Sequence, residues 1–223
     1  MSARFCRYEL RTTHVGAASE FYRTLLGRDD LIIRELPISA RSRGAPAHWL
    51  GYLSVAELGG SMVALQRWND HGAMPIGART GNGAVLRDPG GAILALTDST
   101  ELVDAGVALH VLLTPNAVRA AEIYAELFGW VLTERFELAA GGSFQQFAWQ
   151  AGQPNVGAIG DIAGRPEIHA QWQYFFEVES LDTALAYVRE RSGEVIGPTE
   201  LPDGRRIAAC EDPLGAAFGL LER

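Results

Sequence analysis

The stretch that decides the fold is FYRTLLG at Phe21–Gly27, because the chain carries a second version of it, IYAELFG, at Ile123–Gly129. Two further segments return in the same order: WLGYLSV at Trp49–Val55 as WQYFFEV at Trp172–Val178, and DPGGA at Asp88–Ala92 as DPLGA at Asp212–Ala216. Three matches in one order predict a tandem duplication.

The length agrees with a duplication, since 223 residues can form two domains of about 100 residues each. We place the domains at residues 1–101 and 107–223 and the linker at 102–107. A formal net charge of −8 argues against nucleic acid, whose phosphates need a basic surface. No apolar run is long enough for a membrane helix or a signal peptide, so no membrane partner is expected and a cytoplasmic location is predicted.

Each half begins with the same pattern of elements. Alternating side chains at Arg7–Thr13 predict a strand, and the apolar spacing of Gly16–Leu26 predicts a helix that ends at Gly27. The second copy predicts a strand at 108–114 and a helix at 118–128. Later strands, a helix and an Asp-Pro turn complete each half.

The two halves differ in the segment that follows the first helix. Residues 129–172 have room for a hairpin, Ser143–Gln150 and Val156–Ile159, whereas residues 27–49 contain only a loop-like stretch at Ser39–Ala47. The first half is therefore predicted to lack two strands.

These repeated helix ends and turns resemble the vicinal oxygen chelate superfamily of glyoxalases, extradiol dioxygenases and bleomycin-resistance proteins. Within it, the chain is similar to bacterial two-domain glyoxalase-like proteins. The resemblance implies an α+β fold in which tandem βαβββ modules form two half-barrel domains, the first of them truncated. It specifies a fold, and function has to be argued from the site.

The resemblance also implies where a metal would bind. Metal-binding members place His, Gln or Glu on the first strand of each module and Glu on its last strand, which supplies the donors that a Lewis-acid metal needs. The matching positions in this chain are Arg7, Leu50, Leu109 and Gln173 on first strands, and Ala95 and Gly219 on last strands. Only Gln173 could ligate, so we expect no metal and no cofactor.

In the first half, Arg7, Glu9 and Arg11 share one strand face, and Tyr52 is expected beside them. Guanidinium groups bind anions and Glu9 could transfer a proton, which makes Glu9 the one candidate for a catalytic residue. The alternative is a salt-bridged strand face in contact with water.

In the second half, the corresponding face carries Val111, with Gln173, Phe175 and Glu177 on a facing strand and Trp149 nearby. An apolar wall with a few polar groups suits a planar or apolar small molecule. His110 falls on the opposite, helix-facing side of its strand and is expected to be a hydrogen-bonded core residue.

Three functions remain open. The first is a protein that binds a small, partly apolar or aromatic molecule without the family's metal. The second is a lyase, isomerase or dioxygenase with a relocated divalent metal, and the third is a non-catalytic scaffold; a homodimer is possible in each case. All 19 basic residues are arginine, which excludes Schiff-base catalysis and a Walker A loop.

Overall fold

A computed structural model describes residues 2–80, 82–138 and 141–223. The first half contains strands β1 and β2, helices α1 and α2, strand β3, helix α3 and strands β4 to β6. Their bounds are β1 Arg4–Thr12, α1 Val15–Leu26, β2 Ile32–Glu35, α2 Ile38–Arg41, β3 His48–Ser54, α3 Gly60–Asp70, β4 Met74–Thr80, β5 Gly83–Arg87 and β6 Ile93–Thr97.

The second half has the same order among the described residues, except that two strands stand where the first half has α2. Its elements are β7 Val107–Thr114, α4 Ala117–Phe128, β8 Val131–Glu137, β9 Ser143–Ala148, β10 Gly157–Asp161, β11 Gln171–Val178, α5 Leu181–Glu190, β12 Glu194–Glu200, β13 Arg206–Glu211 and β14 Ala217–Glu222. The described strands form a six-stranded sheet, ordered β2-β1-β3-β6-β5-β4, and an eight-stranded half-barrel sheet, ordered β12-β13-β14-β11-β7-β10-β9-β8. The predicted α+β fold of tandem βαβββ modules with a truncated first half is confirmed.

The repeated helix ends have the same local cause. Gly27 after α1 and Gly129 after α4 adopt left-handed backbone angles, with φ of 65° and 70°, and donate their N–H groups to Arg23 and Ala125. Glycine adopts this conformation without strain, which is why the motif ends in glycine. The Asn116 side chain caps the start of α4 by accepting from the Arg119 N–H.

Three local expectations need correction. Strands β4 and β12 were not predicted, because Pro75 and Gly77 in one and Gly197 and Pro198 in the other weaken the strand pattern. Both lie at sheet edges, where proline is tolerated. The expected loop-like stretch at Ser39–Ala47 overlaps the short helix α2, Ile38–Arg41.

The chain divides into two compact units. Unit 1 consists of Met1–Arg7, Gly51–Asp104 and His110–Trp172, and unit 2 consists of Tyr8–Leu50, Ala105–Leu109 and Gln173–Arg223. Each unit thus draws on both halves of the sequence. The domain boundaries at residues 101 and 107 stay a prediction.

In unit 1, the repeated segments meet in one buried network. The Trp172 indole donates to the Tyr124 hydroxyl at 3.0 Å, and that hydroxyl donates to the Asp88 carboxylate at 2.9 Å. The other Asp88 oxygen accepts from the Ala92 N–H at 2.8 Å and so closes the Asp-Pro turn. The Trp130 ring stacks on Phe147 beside this network.

Unit 2 contains an equivalent network. The Trp49 indole donates to the Tyr22 hydroxyl at 3.1 Å, which donates to Asp212 at 3.0 Å. Asp212 also accepts from the Ala216 N–H at 2.9 Å. The three repeated motifs are therefore the three partners of one hydrogen-bond chain, and in each unit the aspartate comes from the opposite half to the tyrosine. Among the described residues, no helix has the length and apolar character needed to cross a membrane.

Candidate functional site

The last strand of each half pairs in parallel with a central strand at equivalent positions. In unit 1, Tyr52 of β3 is in register with Ala95 of β6. In unit 2, Phe175 of β11 is in register with Gly219 of β14. These pairs place Ala95 and Gly219 at matching points of the two sheets, as the repeat alignment predicts.

Phe175 occupies the space over Gly219. A Cβ atom at Gly219 would lie 2.2 to 2.4 Å from three carbons of the Phe175 ring, well inside van der Waals contact. Both residues are buried. No side chain can project from this position unless the phenyl ring moves.

Gln173 lies two residues before Phe175, and therefore on the same face of β11. It is buried, and its amide nitrogen donates to the carbonyl oxygen of Phe218 at 2.8 Å. The next residue on that face, Glu177, is exposed and lies 3.3 Å from Arg223. Of the three predicted binding residues on β11, only Glu177 is in open contact with water.

The site residues predicted in the first half of the sequence are divided between the two units: Arg7 and Tyr52 belong to unit 1, and Glu9 and Arg11 belong to unit 2. In unit 1, the guanidinium carbon of Arg7 lies 4.1 Å from the centre of the Tyr52 ring, a cation–π distance, and both side chains are half-buried. In unit 2, Glu9 is fully buried and accepts a short ion-pair contact from Arg11. Arg34, which the sequence analysis missed, adds a second guanidinium at 3.5 Å from Glu9.

This unit 2 cluster has one carboxylate and two arginines. The ion pairs agree with a salt-bridged strand face, and anion binding by these guanidinium groups stays a prediction. Arg34 was missed because the parallel register that sets Arg34 opposite Arg11 cannot be read from the sequence of either strand alone.

Val111 belongs to an apolar strand face in unit 1. It pairs with Ala158, and Leu113, two residues along, pairs with Gly160 of β10. Gly160 in turn faces Phe144 of β9, whose ring lies so close that a Cβ at Gly160 would be 2.5 Å from it. Val111 itself is buried, whereas Leu113 and Phe144 are half-buried.

The outer end of this face is aromatic. Phe136 of β8 is in register with Phe144, and the two rings stack with centroids 5.4 Å apart and planes within 15°. Phe136 is also half-buried. We call Val111, Leu113, Phe136, Phe144 and Gly160 the apolar face. Phe136 and Phe144 follow the side-chain alternation of β8 and β9, so strand periodicity could have found them.

Trp149 lies away from the apolar face. Its ring packs edge-on against His110 with centroids 5.2 Å apart, and His110 points to the opposite side of β7 from Val111. His110 is buried, its Nδ1 lies 2.8 Å from the Val156 carbonyl oxygen, and burial lowers its pKa to about 4. Trp149 and His110 thus form part of the aromatic core of unit 1.

A family model described as the Glyoxalase/Bleomycin resistance protein/Dioxygenase superfamily matches residues 106–220. The chain belongs to this superfamily. Proteins named "Putative glyoxylase CFP32" from Mycobacterium bovis and Mycobacterium tuberculosis are each 26% identical to it, over 96% of this chain and 92% of the relative.

Solved extradiol dioxygenases share the fold of this superfamily member. The 2,2',3-trihydroxybiphenyl 1,2-dioxygenase of Sphingomonas wittichii superposes with a TM-score of 0.62 at 13% identity, covering all of this chain and 91% of the other. The homoprotocatechuate 2,3-dioxygenase of Brevibacterium fuscum gives 0.62 at 15% identity, covering all of this chain and 81% of the other.

The superfamily's metal positions do not fit a metal in this chain. Leu50, Leu109, Ala95 and Gly219 have no donor atoms, and Gln173 is the only neutral donor among the six positions. Phe175 fills the space into which a carboxylate at 219 would project. In the described ranges, no group of three or more His, Cys, Asp or Glu residues could hold a metal ion.

Proposed function

We propose that this superfamily member binds a small, flat, partly apolar molecule on the apolar face of unit 1, without the metal centre that the resemblance implies. The observation that carries the proposal is the half-buried Phe136–Phe144 stack, which continues an apolar strand face and leaves aromatic surface accessible. Stacked rings of this kind offer edges and faces to a further aromatic ring.

The face has the composition of a small-molecule site. Leu113 and the two phenylalanines supply apolar surface. Gly160 has no side chain and so leaves room for the Phe144 ring to lie over it. Gln146, on the same side of β9 as Phe144, is half-buried and supplies a polar group. Apolar walls with a few polar groups are typical of ligand pockets.

The metal-dependent alternative rests on the likeness to extradiol dioxygenases, which concerns the fold. A dioxygenase, lyase or isomerase built on this chain would need a metal at another set of residues. Elemental analysis of protein purified without chelators separates the two proposals. Iron, manganese, nickel or zinc in a stoichiometric amount would overturn the metal-free proposal.

Binding to the apolar face is tested with 1-naphthol, a planar aromatic probe, by following its fluorescence during titration. Phe144→Leu keeps an apolar side chain but removes the aromatic face, and should weaken binding about threefold to tenfold, the usual contribution of one aromatic pair. Ile38→Ala is the control, because Ile38 is 75% exposed and lies in unit 2. Equal affinities in both variants, or no binding at millimolar probe, would refute the proposal.

A further inference from the structure

The charged cluster of unit 2, which consists of Glu9, Arg11 and Arg34, holds a place in its sheet that the apolar face holds in the other sheet. Strand β2 pairs in parallel with β1, and Arg34 is the register partner of Arg11. In the second half, β10 pairs in parallel with β7, and Gly160 is the register partner of Leu113. The short strand β2 therefore takes the position beside β1 that β10 takes beside β7.

The chemistry of this position differs between the two copies. In the repeat alignment, Glu9 stands in the place of Val111 and Arg11 in the place of Leu113. Register adds a guanidinium group where the second half has a glycine. An apolar strand face in one copy is thus an ionic face in the other, and the two faces suit different ligands.

Glu9 holds the two guanidinium groups next to each other. One of its carboxylate oxygens contacts Nη2 of Arg11, and the other lies 3.5 Å from Nε of Arg34. Glu9 is fully buried, and a buried carboxylate is stable only when such partners compensate its charge. The carboxylate is therefore a fixed point that both arginines share.

Both arginines, unlike Glu9, are open to water. The exposed fraction of the side chain is 58% for Arg34 and 21% for Arg11. Arg34 is exposed because β2 is the edge strand of the six-stranded sheet, whereas β10 is covered by β9 and β8. A guanidinium group has five N–H donors in one plane, so a single contact with Glu9 cannot use all those of Arg34. A ligand in solution can therefore reach them.

One carboxylate offsets only one of the two guanidinium charges, so the three side chains of the cluster carry one net positive charge. The next acid along β2, Glu35, points to the opposite side of the strand from Arg34 and lies 3.8 Å from Arg41. The charge of Arg11 also acts on His48 of β3: burial lowers the pKa of this imidazole, and Arg11 lowers it further. The local field is thus positive in a chain whose formal net charge is −8.

The charge and shape of the cluster define the class of ligand. A planar guanidinium group matches a planar carboxylate, which can accept two hydrogen bonds from it. A monoanion balances the single positive charge, whereas a dianion would place excess negative charge beside Glu9. Ile32 is in register with Glu9 and half-buried, and so supplies apolar surface on the same face.

We propose that Arg11 and Arg34 bind the carboxylate of a small organic acid, with the apolar part of the acid against Ile32. The site belongs to unit 2 and needs no metal. It does not rest on the function proposed for the apolar face, which belongs to unit 1.

The experiment is a calorimetric titration with sodium benzoate at low ionic strength. We expect saturable binding at millimolar benzoate. Arg34→Gln should weaken it about tenfold, the usual contribution of a charge-assisted hydrogen bond. Arg34→Lys keeps the charge but loses the planar fork, and should lie between this variant and the original protein. The control is Arg23→Gln, which removes one positive charge from a side chain of unit 2 that is 60% exposed and should leave the affinity unchanged.

Four results would overturn the proposal. They are the lack of saturable heat with benzoate, equal affinities for Arg34→Gln and Arg23→Gln, binding of the neutral benzamide as tight as that of benzoate, and tighter binding of the dianion phenyl phosphate. Phe144→Leu should leave the benzoate affinity unchanged, and a loss there would place benzoate on the apolar face instead. Because naphthol binding is tested at Phe144 and benzoate binding at Arg34, the two proposals can fail separately.

Discussion

The hydroxyl of Tyr124 is the centre of the buried network in unit 1, and its removal tests whether that network stabilises the unit. Tyr124→Phe keeps the ring and deletes one oxygen. The Trp172 N–H, at 3.0 Å, then loses its acceptor, and the Asp88 carboxylate, at 2.9 Å, loses one donor. Tyr124, Trp172 and Asp88 are 1%, 4% and 4% exposed, so water cannot replace the missing group.

The expected loss follows from these two contacts. Leaving a buried polar group without its partner costs about 1 to 3 kcal/mol, so two of them should lower the free energy of unfolding by about 2 to 6 kcal/mol. Tyr22→Phe should behave alike in unit 2, because its hydroxyl links Trp49 to Asp212 in the same way. Tyr187→Phe is the control, since its hydroxyl has only a 3.5 Å contact with the Phe21 carbonyl oxygen.

The loss of stability caused by Tyr124→Phe should depend on pH. Burial raises the pKa of Asp88, and the Tyr124 hydroxyl and the N–H groups of the turn partly offset this. A carboxyl whose pKa is raised by folding favours the folded state at low pH and loses that contribution as pH rises through the folded pKa. Without the tyrosine hydroxyl the pKa of Asp88 rises further. Tyr124→Phe should therefore lose more stability relative to the original protein at neutral pH than in acid.

The assay is urea unfolding followed by tryptophan fluorescence, at neutral pH and below the usual carboxyl range. Tyr124→Phe should lose several times more stability than Tyr187→Phe, and the difference should shrink in acid. If the two variants lose the same amount, or if the deficit does not change with pH, the reasoning about this network is wrong.

Two further predictions concern residues whose surroundings the structure defines. Gly219→Ala should lower the free energy of unfolding by about 1 to 3 kcal/mol, because its Cβ would meet the Phe175 ring. The control is Gly16→Ala, which has open space around it in α1 and should be neutral or slightly stabilising. Similar urea midpoints for the two variants would contradict this prediction. Burial lowers the pKa of His110 to about 4, so the fold holds this imidazole in its neutral form. The stability that depends on the neutral ring is present above the usual histidine range and is lost as pH falls towards 4. Its imidazole NMR signals should therefore not titrate near the usual histidine value, and ordinary titration there would show that the ring is open to water.

Strand and helix boundaries were predictable where the residues themselves determine them. Gly27 and Gly129 end helices through their own backbone freedom, and the alternation in β9 and β10 marks a hairpin without reference to the rest of the chain. The edge strands β4 and β12 were missed because Gly77 and Pro198 obscure that alternation, and pairing with a neighbouring strand forms them regardless.

The candidate site was less predictable. The sequence pattern predicts that Trp149 lies near Val111, whereas in the structure Trp149 packs against His110 in the aromatic core of unit 1. It identified Gly219 as a position without the family's carboxylate, yet the presence of the Phe175 ring over it depends on the register between β11 and β14. Register joins residues that are distant in sequence, and no local pattern encodes it.

The sequence by itself determined the duplication, the α+β class, the loss of a hairpin from the first half and the loss of donors at the metal positions. The duplication and the missing hairpin follow from the identity and spacing of residues along the chain, and the fold class and the metal positions follow from the family resemblance that those residues carry. Only the tertiary structure decided that Tyr124 binds Asp88 of the other half, that Arg34 joins Glu9, and that the Phe175 ring covers Gly219. Those facts depend on which surfaces meet when apolar faces from both halves are buried together, and that choice is made by packing over the whole unit.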